Sequence, residues 1–132
     1  MIKISELKFG DMVMAEYEGQ QLEGMVTDIN REDKEVCVET SVQDFWYKPE
    51  NLYPIPLTDE QLVKLGFTKL ENEDGSVKYM KGSFRVLTPR KNDFSVLEIW
   101  WREDHRYIDH AIQVHELQNH YHQMTKVELV PA

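Results

Sequence analysis

The chain has 132 residues, 24 acidic and 15 basic, for a net charge of −9 at pH 7, with 41% hydrophobic and 11% aromatic side chains. That suffices for one domain or two very small ones, and the aromatic content excludes a disordered chain. No stretch comes near the roughly 18 apolar residues a membrane helix needs, and the amino terminus lacks a signal-like apolar run, so the expectation is a soluble protein of the cytoplasm with no membrane partner.

Residues 9–53 read as a string of short strands. Phe9-Gly10-Asp11 makes a turn, Met12 to Tyr17 alternates weakly, and Glu18-Gly19-Gln20 supplies a reversal. Gln21 to Ile29 follows, with Leu22, Gly24, Val26 and Asp28 on one side and Glu23, Met25, Thr27 and Ile29 on the other. Asn30 to Lys34 holds no apolar residue and reads as a loop. Glu35 to Thr40 alternates, setting Val36 and Val38 opposite Cys37 and Glu39. Cys37 is the only cysteine, which excludes an internal disulfide; it is expected to point inward as a small buried hydrophobe. In Phe45-Trp46-Tyr47 the outer two rings face away from Trp46, so packing at a barrel rim is favoured over an aromatic cage, which needs residues from elsewhere. Strands this short and this closely spaced predict a small closed barrel. The pattern Lys8-Phe9-Gly10-Asp11-x-Val13, then Gly24-x-Val26-x-x-Ile29, then Val36-x-Val38 resembles SH3-like barrels.

Pro54 and Pro56 flank Ile55 and forbid a regular helix there, which places a boundary between residues 1–56 and 57–132. Thr58 then offers an N-cap, Gln61 its capping-box partner, Asp59 and Glu60 a dipole-compatible first turn, and Leu57 with Leu62 a hydrophobic staple. Gly66 closes the helix at its C′ position, so the predicted helix is Thr58 to Leu65. Asn72-Glu73-Asp74-Gly75, Lys81-Gly82 and Arg90 to Asp93 read as turns. Between and after them lie strands Val77 to Met80, Phe84 to Thr88 and Phe94 to Trp101, with a short strand Arg106 to Ile108 beyond. From Val114 the apolar spacing turns helical through Leu117, Tyr121 and Met124. The predicted fold class is therefore mainly β, α+β: an SH3-like small barrel followed by an antiparallel meander with two helices.

Two segments carry a resemblance: Trp46-Tyr47 to Leu52 running into Ile55-Pro56-Leu57-Thr58-x-Glu60-x-Leu62-x-x-x-Gly66-Phe67, and Val114-His115-Glu116-Leu117-Gln118-Asn119-x-Tyr121-x-x-Met124-Thr125. They resemble small uncharacterised proteins encoded in Bacteroidetes genomes and in their phages and mobile elements. The resemblance implies an origin and an architecture but no catalytic residues. Lys126 stands where such relatives commonly have Gly, and His120 where they have an apolar residue.

All five histidines fall between His105 and His122. His115 and His120 are one residue too far apart for the zinc-protease spacing; five helical residues turn them about 140° apart, so no metal is expected. No catalytic constellation or cofactor motif is present, and the chain reads as a non-enzyme without a cofactor. The charge is uneven: residues 1–57 carry 12 acids and 5 bases, residues 58–132 carry 12 and 10. The first part repels phosphate. The second gathers Lys78, Lys81, Arg85, Arg90 and Lys91 around the meander, the one region where a nucleic acid would bind. Asp93, Glu98, Glu103 and Asp104 dilute it. Trp100 and Trp101 are adjacent on a strand, so one indole must face outward beside Arg102 and Arg106, the composition of a protein interface anchor. The leading expectation is a binding or adaptor module of phage or mobile-element type acting through protein contacts, with a second copy of the chain among the candidate partners. The alternatives are a nucleic-acid-associated protein and an acidic inhibitor of a host defence protein.

Overall fold

The alternation along residues 12–53 becomes a five-stranded antiparallel sheet in the computed structural model, which describes residues 2–131. Its strands are β1 (Met12–Tyr17), β2 (Gln20–Asn30), β3 (Glu35–Thr40), β4 (Asp44–Tyr47) and β5 (Leu52–Tyr53), in the order β4-β3-β2-β1-β5. Val13, Ala15, Val26, Val36, Val38, Tyr47 and Leu52 line its buried face with Ile2 and Leu7. Glu18 and Gly19 both take positive φ, 51° and 81°, as a tight two-residue hairpin loop requires. Gly24 lies so close to β3 that a Cβ would meet Val38 Cγ1 at 2.5 Å and the Glu39 carbonyl at 2.7 Å.

Three expectations change here. A register shift between Val26 and Asp28 is a β-bulge that inserts one residue and flips the parity beyond it. Ile29 therefore packs against the same core as Val26, while Asp28 faces out. Cys37 does not point inward: Val36 and Val38 are fully buried and Cys37, of opposite parity, is partly exposed. The sheet is also open where a closed barrel was predicted. β5 has only two residues, both paired to β1, and β4 lies at the opposite end of the order.

The turn before β1 is held from 106 or more residues away. Gln118 donates to the Gly10 carbonyl at 2.8 Å and accepts from the Met12 amide at 2.7 Å, satisfying two backbone groups the turn leaves over. Asp11, fully buried, accepts from the Lys8 amide at 3.0 Å and has the Lys8 ammonium at 3.1 Å. Burial outweighs that attraction and raises the Asp11 carboxyl to about 6.

Two compact units result: residues 1–56 with 113–119, and residues 57–112 with 120–132. The sequence reading assigns the whole carboxy-terminal helix to the second part; its first half belongs with the first unit. In the second unit, α1 (Asp59–Lys64) begins where Thr58 Oγ1 accepts from the Gln61 amide at 3.2 Å. It ends at Gly66, φ 90°, where the Phe67 amide returns to the Leu62 carbonyl. Then come β6 (Thr68–Glu71), β7 (Val77–Lys81), β8 (Phe84–Thr88), β9 (Leu97–Trp101) and β10 (Asp104–Ile108), a meander ordered β10-β9-β8-β7-β6. β6 has no counterpart in the sequence reading. β9 starts at Leu97 rather than Phe94, because the Asp93 carboxylate takes both the amide and the hydroxyl of Ser95 and bends the chain. The last element is α2 (Val114–Thr125). The architecture is mainly β, with two antiparallel sheets and two helices, and no described helix is long and apolar enough to cross a membrane.

Candidate interaction surface

The second sheet has two unlike faces because its strands alternate. Phe84, Val86, Val77, Tyr79, Leu97 and Ile99 are all buried. α1 and the last part of α2 cover this side: the Phe84 and Tyr121 rings lie 4.6 Å apart, and Tyr79 donates to Asp59 at 2.7 Å. Lys69 also reaches Asp59, at 2.8 Å, and these two hydrogen bonds, Lys69 first, hold the Asp59 carboxyl below its ordinary range.

On the other face no side chain is buried. Trp100 stands there on β9, next to Arg85 on β8 and His105 on β10 in register. Its indole stacks on the His105 ring at 4.1 Å and 26°, with the Arg85 guanidinium 5.7 Å from its centroid. His105 in turn meets Glu98 at 2.9 Å. Met80 continues the row beyond Arg85, and Tyr107, Leu87 and Leu70 fill the neighbouring one. Tyr107 and Leu70 are 62% and 45% exposed, so this is an amphipathic platform with aromatic, aliphatic and both signs of charged side chain. The side chains on this face are of the kinds that can stack, bury apolar area and make charge-assisted hydrogen bonds.

The structure separates the four residues named as an interface. Trp100 is on the open face. Trp101, of opposite parity, ends β9 under the Arg102 guanidinium, 5.0 Å from its ring, and Arg102 turns the hairpin with φ 54°. Arg106 belongs to the covered side, where it contacts His120 at 2.7 Å and Gln123 at 3.0 Å. The five basic residues named for nucleic acid are divided likewise. Lys81 donates to the Leu65 carbonyl at 2.8 Å, Arg90 pairs with Asp93 at 2.9 Å, and Lys91 meets Glu71 at 3.3 Å. Lys78 and Arg85 remain on the open face. Sequence reasoning passed over Leu70, Met80, Leu87 and Tyr107, though carrying the parity of Trp100 through the hairpins would have found them.

The histidines disperse. His115, 2% exposed, approaches Glu6 at 3.4 Å; His122 meets Glu128 at 3.5 Å; His110 pairs with its neighbour Asp109. Among the described residues no group of three His, Cys, Asp or Glu is placed to hold a metal ion. No protein-family model, no curated protein and no solved structure matches the chain.

Proposed function

We propose that the protein is a non-enzymatic binding or adaptor module of the cytoplasm, acting through protein–protein contacts on the open face of the second sheet. The observation that carries this reading is Trp100, set on a side of the sheet with no buried residue and flanked by Arg85 and His105. Aromatic and arginine side chains in such a setting are the composition of interface anchors. Phosphate recognition is the weaker reading, because Lys81, Arg90 and Lys91 already have partners and Glu98 shares the face. A phage or mobile-element setting rests on the two resembling segments around residues 55–67 and 114–125. The strand order of the first unit, in which a 3₁₀ turn at Pro49–Asn51 precedes the strand that returns to β1, supports grouping it with SH3-like folds despite its open sheet.

The test places a photo-crosslinking residue at Tyr107 in the cells that make the protein. A discrete protein adduct that disappears in the Trp100→Ala background and persists in Trp46→Ala supports the proposal, and an adduct of doubled mass identifies the partner as a second copy. Adducts to nucleic acid alone, or protein adducts indifferent to Trp100→Ala, overturn it. Circular dichroism of Trp100→Ala verifies that the variant is folded.

A further inference from the structure

The positive charge of the first part is gathered in one place. Residues 1–57 carry 5 bases against 12 acids, and Lys3, Arg31 and Lys34 line a single hollow together with Ile2, Ile4 and Pro49. The hollow lies wholly within the first unit and measures about 350 Å³. Three stretches of chain meet there: the residues that enter the 3₁₀ turn Ile4–Glu6, the loop between β2 and β3, and Pro49, which opens the turn Pro49–Asn51. Ile2 is buried in the core of the first sheet, and Ile4 packs against that core. Pro49 is half-buried and has no amide to satisfy. The three cations are exposed, so the hollow has an apolar floor and a cationic rim.

The acids of the loop do not neutralise that rim. Asp33 is engaged by Asn30, whose side-chain amide donates to the carboxylate at 3.1 Å while its oxygen accepts from the Asp33 backbone amide at 3.1 Å. Glu32 does not line the hollow. Lys3, Arg31 and Lys34 have no ion-pair partner among the described residues, whereas Lys8 is held by Asp11. At physiological salt, charges more than about 8 Å apart are largely screened. The field inside the hollow is therefore set by its three cations and not by the net charge of −9.

An apolar floor under a cationic rim fits a molecule with an apolar body and an anionic head. Inorganic phosphate leaves the floor in water, and a neutral apolar molecule leaves the rim unpaired. An extended peptide finds no strand edge to pair with, because β2 and β3 are both interior to the sheet. We propose that the hollow binds a single-chain aliphatic carboxylate, its tail on Ile2, Ile4 and Pro49 and its head among Lys3, Arg31 and Lys34. At roughly 30 Å³ for each group the size of a water or a methylene, the volume accepts about a dozen heavy atoms, a chain of about eight to ten carbons. This site and its ligand are independent of the Trp100 face.

The experiment titrates octanoate, butanoate, 1-octanol, octylammonium and inorganic phosphate into the isotope-labelled full chain at physiological salt, below the concentration at which the ligands self-associate, and follows the amide resonances. Octanoate is expected to shift residues 2–4, 31–34 and 49–51 saturably. An open hollow buries each methylene about halfway, a factor of about twofold, so butanoate binds about fifteenfold more weakly. Octanol and octylammonium bind at least about tenfold more weakly, because they forgo three ion pairs. Lys3→Gln, Arg31→Gln and Lys34→Gln together weaken octanoate about tenfold, and Arg31→Gln alone about twofold. The same charge change in the second unit, Arg90→Gln, Lys91→Gln and Lys126→Gln, alters it less than twofold. Unshifted resonances outside the hollow verify that each variant is folded. The proposal is overturned by shifts that do not saturate or that centre elsewhere, by phosphate binding as tightly as octanoate, or by equal weakening in the control variant. Sedimentation with phosphatidylglycerol vesicles in the absence of octanoate binding assigns the rim to a membrane surface and overturns it as well.

Discussion

The two sheets have the same number of strands and the same antiparallel pairing, yet they turn different chemistry outward. The first presents carboxylates around Trp46 with no lysine or arginine on its strands. The second carries both signs on its open face, with Lys78 and Arg85 on the same side as Glu98, which His105 meets at 2.9 Å. The inward faces are alike because a period-two pattern must bury one apolar row per strand whatever lies outside. Outward positions are released from that demand, so their composition is free to differ between the two sheets.

The largest expected effect tests whether the second unit depends on its aromatic core. Phe84 is fully buried between Phe67 and Tyr121, and Phe84→Ala should cost about 4 kcal/mol. Hydrogen exchange should show amides of β7 to β9 losing protection.

The next prediction contrasts the units by pH. The folded state raises Asp11 from 3.8 to about 6, chiefly by burial, against the pull of Lys8 and His115. A raised carboxyl favours the folded form when protonated, so its contribution is complete below pH 3.8 and is lost as pH rises through 6. Asp11→Asn removes that loss, and its stability relative to the parent should improve by up to about 3 kcal/mol between pH 4 and pH 7 in urea titrations. Asp93 in the second unit is held at about 2 by hydrogen bonds from Ser95, so its contribution has the opposite sign: present above pH 3.8 and lost as pH falls.

Gly24→Ala sharpens the comparison from the first sheet. The added methyl meets Val38 and the Glu39 carbonyl, and overpacking of this kind costs about 2 kcal/mol. Lost exchange protection should centre on β2 and β3. Lys126 sits just past α2 with φ 64°, a conformation glycine adopts without strain, so Lys126→Gly should stabilise by about 0.5 kcal/mol in thermal melts. The smallest effects have opposite signs on the two sheets. Glu39→Gln relieves repulsion from Asp44 and should stabilise by about 0.3 kcal/mol, whereas Glu98→Gln loses the contact with His105 and should destabilise by about as much.

Local signals were legible where their cause is local. The cap at Thr58, the stop at Gly66 and the turns at Gly75 and Gly82 depend on backbone torsions and hydrogen bonds within a few residues, and the helix and hairpins appear where those residues stand. The bulge in β2 was not legible, because inserting one residue leaves an apolar pattern that reads as ordinary alternation until its partner strand is known. Cys37 was misjudged for a related reason: a lone cysteine is small and apolar enough for either face, and the flanking valines won the inward side. Arg106 shows the same limit at the site. Its parity to Trp100 depends on where the β9–β10 hairpin turns, and that turn rests on Arg102 adopting positive φ, which composition does not announce.

By itself the sequence determined a mainly β chain with a break at Pro54 to Pro56, the position of α1, and an outward indole at Trp100 or Trp101, all consequences of periodicity and torsional preference. Only the tertiary structure decided that the first sheet stays open, that its acids converge on one face, that Gln118 completes a turn at Gly10 and Met12, and that the basic residues of the meander go to separate partners. These depend on strand register and on contacts across a hundred residues, where a side chain's neighbours are set by pairing rather than by adjacency along the chain.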